Sequence, residues 1–93
     1  MVNTPEIRID CPDALKFIIA DKAKEKFRTA GYDIIDIDGV RVKFADGWGL
    51  IRASNTQPIL VMRFEASTAA KLAKYRGIVE RVLDEVKREV GAG

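Results

Sequence analysis

The chain has 93 residues, short of the ~100 to 200 residues of a typical domain, so it is read as one domain over residues 1–93 without separate catalytic and binding lobes. Sixteen basic against fourteen acidic side chains leave a formal charge of +2, far from the basic excess of a protein that lives on phosphate backbones. A hydrophobic content of 47% with 32% charged residues excludes disorder, and the absence of histidine excludes Ser/His and Cys/His nucleophile pairs, imidazole metal sites and the usual near-neutral proton shuttle.

Residues 1–4 and 91–93 are expected to be loose, leaving an ordered core over 4–90. Glu6-Ile7-Arg8-Ile9 alternates as a short strand does. Asp10-Cys11-Pro12-Asp13 then offers a helix N-cap with proline in the first turn. In the helix that follows, Leu15, Ile18, Ile19, Ala23 and Phe27 share one face, Lys16, Lys24, Glu25 and Arg28 fall elsewhere, and Gly31 stops it near residue 30. Residues 32–37 and 40–44 are β-branched and alternating, and Asp38-Gly39 between them is the strongest hairpin signal in the chain. A second turn at Ala45-Asp46-Gly47 leads into a strand over 48–52, and a polar segment over 53–58 joins it to a strand over 59–66. Ser67-Thr68 caps a long helix whose apolar positions Leu72, Tyr75, Val79, Val82, Leu83, Val86 and Val90 step by three and four. The order is β-α-β-β-β-β-α, an α+β fold with an antiparallel sheet and two helices on one face. Val40, Val42, Phe44, Leu60, Met62 and Phe64 are the period-two positions expected beneath them.

Cys11 is the one cysteine, so no internal disulfide forms and a reducing compartment, the cytoplasm, is expected. Its place beside a helix start could lower the thiol pKa, but no partner lies nearby in sequence, and it reads as incidental. The apolar runs at 17–20 and 59–62 are too short to span a bilayer and residues 1–5 lack signal-peptide character, so no membrane partner is expected. Gly47-Trp48-Gly49 lacks the third glycine and the following helix of a nucleotide loop, and reads as turn and strand. Asp36-Ile37-Asp38-Gly39 lacks the further acids of a metal loop and reads as a turn. In the second helix, Lys71, Lys74, Arg76, Arg81, Lys87 and Arg88 interleave with Glu80, Asp84, Glu85 and Glu89, which describes a solvated face of ion pairs rather than a nucleic-acid stripe.

One segment does not read as structural. Arg52-Ala53-Ser54-Asn55-Thr56-Gln57-Pro58 sets a guanidinium, two hydroxyls and two side-chain amides between apolar strands. A tetrahedral dianion is held by such a set, with a forked guanidinium for charge and bidentate geometry, side-chain donors for the other oxygens, and turn amides converging as a nest. Ser, Asn, Thr and Pro are also ordinary turn formers, so from chemistry alone a generic polar turn and an anion cradle stand level.

Asp38-Gly39-Val40-Arg41-Val42, then the run from Gly47-Trp48-Gly49-Leu50-Ile51 through Arg52-Ala53-Ser54-Asn55-Thr56-Gln57-Pro58, then Arg63-Phe64-Glu65-Ala66, resembles the C-terminal domain (domain 4) of the α-D-phosphohexomutases, nearest to bacterial phosphomannomutase/phosphoglucomutase. The resemblance covers nearly the whole chain and implies a TATA-binding-protein-like fold. It also implies that the loop binds a phosphosugar phosphate through Arg52, the Ala53 backbone, Ser54, Asn55 and Thr56. Gln57 stands where many members carry glutamate, so it is assigned loop support only, as is Gly49.

The family's phosphoserine loop, magnesium loop and sugar-reading loop have no counterpart here, so the resemblance implies no catalytic or metal residue in this chain. Mg2+ and phosphoserine belong to the parent enzyme, and the chain is a piece of it, excised or encoded as a stand-alone copy. The implied partners are the remaining domains and a phosphosugar: glucose or mannose 1- or 6-phosphate, or hexose 1,6-bisphosphate. The parent reaction is a cytoplasmic isomerisation of hexose 1-phosphate and hexose 6-phosphate, for which the fragment alone is inactive. A stand-alone anion-binding regulatory domain and a nucleic-acid module are the alternatives; the sheet has no row of aromatic residues for stacking bases, so no nucleic-acid partner is expected.

Overall fold

Two amphipathic helices and a run of alternating strands can remove their apolar faces from water by stacking as two layers, and the computed structural model has this arrangement. It describes residues 1–37 and 39–91. In chain order the elements are β1 (Val2–Asn3), β2 (Ile7–Asp10), α1 (Lys16–Thr29), β3 (Ile34–Ile35), β4 (Val40–Phe44), β5 (Gly47–Ala53), β6 (Ile59–Ala66) and α2 (Ala69–Glu89). The last four strands form an antiparallel meander, and β1 and β2 both pair with the outer edge of β6. Both helices lie on one face. Ile19, Ala23 and Phe27 of α1 and Val79, Leu83 and Val86 of α2 share one core with Val40, Val42, Ile51, Leu60, Met62 and Phe64 of the sheet.

The expected inward positions are buried except Phe44, which is partly exposed and belongs to an aromatic chain at one end of the core. Tyr32 meets Phe27 and Phe44 edge-on at 5.7 and 5.6 Å, and Phe44 stacks on Tyr75 at 4.2 Å. The two helices are also tied at their surface, where Lys26 of α1 reaches Glu89 at 3.0 Å and Glu85 at 3.8 Å. The hydrogen bond that its ammonium donates to Glu89 raises the Lys26 pKa above its ordinary 10.5. The bridge is therefore intact at neutral pH and fades only as pH rises through that elevated value; solvent screens it throughout.

The structure differs from the sequence expectation in four places. Residues 2–4 are not loose: Val2 and Asn3 pair with Ala66 and Glu65, the Thr4 N–H donates to the Phe64 carbonyl at 2.9 Å, and the Phe64 N–H donates to Thr4 Oγ1 at 3.1 Å. Those groups of β6 would otherwise lack partners on that edge, because β2 reaches only residues 59–62. The first helix begins at Lys16, with no side-chain cap. The Pro12 carbonyl accepts from the Leu15 and Lys16 N–H groups instead, and the Asp13 carboxylate goes to the Lys16 ammonium at 2.8 Å.

The buried face of α1 is also rotated. Lys16 is buried with Ile19, Ala23 and Phe27, whereas Ile18 is 45% exposed and Phe17 52%. Finally, the strand expected over 32–37 shortens to Ile34–Ile35 because Tyr32 turns into the aromatic chain. Of the hairpin expected at Asp38-Gly39, Asp38 lies outside the described residues, while Gly39 enters β4 at φ +106°, the left-handed region glycine tolerates. Among the terminal residues expected to be loose, Ala92 and Gly93 also lie outside the described residues. Among the described residues no helix is long and apolar enough to cross a membrane.

Gly49 sits mid-strand where an added Cβ would stand 2.8 Å from a Phe64 ring carbon, whereas a Cβ at Gly77 of α2 would meet nothing within 4 Å. Gly49→Ala should therefore cost roughly 1–3 kcal/mol by overpacking. Gly77→Ala should add up to about 1 kcal/mol through helix propensity. Urea unfolding of both variants measures the opposite signs.

Candidate functional site

The helices leave one face of the sheet uncovered, and alternation along the strands decides what it carries. In the antiparallel register Val61 of β6 stands between Arg8 of β2 and Arg52 of β5. Val61 is buried although it points away from the helices, as expected where arginine stems lie over an apolar side chain. A concavity of about 370 Å³ opens above it, lined by Glu6, Arg8, Arg52, Ile59 and the whole connection from Ala53 to Gln57. A wider depression of about 610 Å³ beside Tyr32, Phe44 and Tyr75 is larger, yet its cations are the lysines Lys43 and Lys74, with no guanidinium fork and no side-chain amide beside them. Donor chemistry rather than volume selects the site at Arg52.

The loop is built by its own hydrogen bonds. The Ser54 N–H donates to the Ile59 carbonyl at 3.1 Å, and the Ile59 N–H to the Gln57 carbonyl at 2.8 Å. Ser54 Oγ accepts from the N–H groups of Thr56 at 3.3 Å and Gln57 at 3.2 Å, a side chain bonding its own turn. Those two amides are thus committed to the serine oxygen rather than converging on empty space. The hydroxyl proton of Ser54 remains for an outward partner. Asn55 and Thr56 project their side chains at the exposed tip with no hydrogen bond among the described residues.

The loop is also tied from behind. The Cys11 N–H donates to the Pro58 carbonyl at 2.8 Å, and the Lys16 ammonium to the Gln57 carbonyl at 2.9 Å. Position 57 takes part in this support through its backbone oxygen.

Residues 52–57 therefore come together around one concavity, as the sequence suggested for that run, but Gly49 does not join them; it lies under Phe64 and against Val79. Three participants escaped the sequence reading. The Glu6 carboxylate lies 3.4 Å from Arg8 Nη2 and 3.9 Å from Arg52 Nη2, so two guanidinium groups share one acid at the mouth of the site. The alternation of Glu6 and Arg8 puts them on one face, but nothing local says that their strand lies beside β6. Lys16 was read as solvent-facing, and its burial goes with an acceptor distant in sequence, the Gln57 carbonyl.

Among the described residues no three acidic, cysteine or histidine side chains gather where they could hold a metal ion. Elsewhere on the open face the Arg41 guanidinium lies over the Trp48 ring, 4.6 Å from its centroid, and Trp48 Nε1 donates to Glu65 at 3.3 Å, so the one tryptophan is engaged within the sheet.

Comparison with known proteins gives the family and agrees with the fold. Residues 6–82 match the family model described as phosphoglucomutase/phosphomannomutase, C-terminal domain. The chain is 44% identical over 89 residues to the phosphomannomutase/phosphoglucomutase of Pseudomonas putida, covering 96% of this chain and 19% of that protein. It is also 44% identical over 86 residues to the phosphoglucomutase of Neisseria gonorrhoeae, covering 89% of this chain and 18% of that one. A crystal structure of a phosphoglucomutase/phosphomannomutase family protein from Burkholderia thailandensis superposes with a TM-score of 0.77 at 37% identity, over 92% of this chain and 18% of that one. The chain belongs to the phosphoglucomutase/phosphomannomutase family and corresponds to its C-terminal domain, spanning less than a fifth of these relatives.

The setting of Cys11 disfavours a reactive thiolate. It is buried, and that burial pushes its thiol pKa up against the opposing fields of Lys87 and Lys16. With little thiolate and little access, it should react with an aromatic disulfide reagent at neutral pH about tenfold or more slowly than after unfolding in urea. Absorbance of the released thiol follows both rates, and equal rates would contradict the burial.

Proposed function

We propose that this chain serves as the phosphate-holding domain of a hexose-phosphate mutase, with Arg52, the Ala53 backbone, Ser54, Asn55 and Thr56 gripping the phosphate that is not reacting. The observation that carries the reading is the convergence of the Arg52 guanidinium and the polar loop on one concavity above Val61. Membership of the family supports it, since the relatives are mutases named for glucose and mannose phosphates.

Arg52 supplies charge and a fork of two parallel N–H groups to two phosphate oxygens. Ser54 donates its hydroxyl proton to a third, its oxygen being occupied by the loop amides. Asn55 and Thr56 supply the remaining donors from the tip. Glu6 shares its carboxylate between Arg8 and Arg52, and an arriving dianion takes over part of that pairing.

Such a site contributes to catalysis by remote binding. In a reaction that passes through a hexose bisphosphate, the sugar reverses between half-reactions, and a loop that recognises a phosphate irrespective of which carbon bears it can hold either end. Phosphoserine and magnesium chemistry belongs to other domains of the parent enzyme. These 93 residues alone should not interconvert glucose 1-phosphate and glucose 6-phosphate in the presence of glucose 1,6-bisphosphate and magnesium. A coupled assay showing turnover above a heat-treated control would contradict this.

The isolated domain meets only one end of the ligand, so its affinity should be weak, at a dissociation constant near millimolar, or about 4 kcal/mol of binding free energy. Titration of isotope-labelled chain with glucose 1-phosphate should move the amides of residues 53–56 most. Arg52→Ala should abolish most of the response with the fold intact, and Arg52→Lys should not restore it because an ammonium lacks the fork. Binding undiminished in Arg52→Ala, or shifts centred on residues 71–81 of α2, would sink the assignment.

A further inference from the structure

Among the described residues Lys16 is the one buried charged side chain. It occupies a position of α1 shared with Ile19, Ala23 and Phe27, where an apolar residue would be the default. Burying an ammonium is costly unless directional partners receive its protons. Its partners are the Asp13 carboxylate at 2.8 Å and the Gln57 carbonyl at 2.9 Å, with the Phe17 ring centroid 5.4 Å away. Asp13 is 70% exposed, so that pair by itself could form in solvent and does not require Lys16 to be buried. The bond that requires burial is the one to Gln57.

That bond reaches the anion loop at a carbonyl that also accepts from the Ile59 N–H at 2.8 Å, so Lys16 adds a second donor that ties the closed turn to α1. Ser54 gathers the amides of Thr56 and Gln57 from the front, whereas the carbonyls of Gln57 and Pro58 point back toward the connection between β2 and α1. Cys11 holds Pro58 there through its backbone, which any residue but proline could do. Lys16 holds Gln57 through a side chain, so position 16 is where a side chain sets the loop.

We propose that Lys16 is a positioning residue of the phosphate site: its ammonium pins the Gln57 carbonyl to α1 and so fixes the backbone path on which Ser54, Asn55 and Thr56 present their donors. Lys16 touches no ligand. The inference rests on the phosphate-binding reading of the loop for its consequence, but its structural half stands without it.

Two measurements test it, each on the full chain. In the unmodified protein, the ammonium protons of Lys16 should exchange with water more slowly than those of the exposed Lys22, read from side-chain nitrogen spectra; equal exchange would overturn the anchoring without any variant. In Lys16→Met, which keeps the stem and removes the donors, amide exchange at Thr56 and Gln57 should quicken about tenfold while that of core residues such as Val79 moves little, and affinity for glucose 1-phosphate and inorganic phosphate should fall about three- to tenfold, as for one lost hydrogen bond of ordinary net strength. Uniform quickening at Val79 and the loop alike would show a merely structural lysine and overturn the proposal, as would unchanged loop exchange with unchanged affinity. If the unmodified chain binds neither phosphate probe, the phosphate reading fails, while the exchange data still decide whether Lys16 anchors the loop.

Discussion

The arrangement depends on β6 being paired along both edges. Its seven residues from Leu60 to Ala66 run against β5, and its other edge takes β2 over residues 59–62 and β1 over 65–66. Pro5, which has no N–H to give, separates those two short strands. Because side chains alternate with period two, this double pairing sorts every neighbour at once. Leu60, Met62 and Phe64 face the helices, and Val61 faces out with Arg8 and Arg52 on either side. A one-residue slip in either ladder would turn an arginine into the core.

The two faces then do different work. The covered face carries the stability, in side chains from both helices and the sheet that form one contiguous core. The open face is more polar, and among the described residues it presents Arg8, Arg41, Arg52 and Arg63 alongside Glu6, Asp10 and Glu65. Glu65 is engaged by Trp48, and Glu6 is shared by two arginines. Guanidinium groups beside a loop of neutral donors are the arrangement on which the proposed phosphate site rests.

That loop is held both by its own hydrogen bonds and by two from behind it. Turn residues define a local shape through the Ser54 oxygen, but the loop's direction relative to the sheet is decided by two bonds from a connection some forty residues earlier. A hydrogen bond from a buried ammonium is short-ranged and directional. Displacing Gln57 would leave Lys16 with a buried donor unsatisfied, so loop and helix hold each other in place. This is the physical sense in which a site on a loop is prepared before its ligand arrives.

Much of this was legible in the residues alone, because the forces involved are local or periodic. Alternation placed Val40, Val42, Leu60, Met62 and Phe64 inward, spacing by three and four placed Val79, Leu83 and Val86, and the clustering of donors at 52–57 marked the loop without reference to any fold. What lay beyond reach required two segments to meet. The pairing of residues 2–10 with β6 depends on ladder groups that no local pattern reveals, and it alone brings Glu6 and Arg8 to the Arg52 loop. The face of α1 was misjudged for the same reason: periodicity ranks Ile18 above Lys16, but the protein buries the lysine because two acceptors, Asp13 and the Gln57 carbonyl, stand where its ammonium ends. Hydrophobic pattern is written in neighbours along the chain, whereas the partner of a buried charge is chosen in space, and only the tertiary structure decides it.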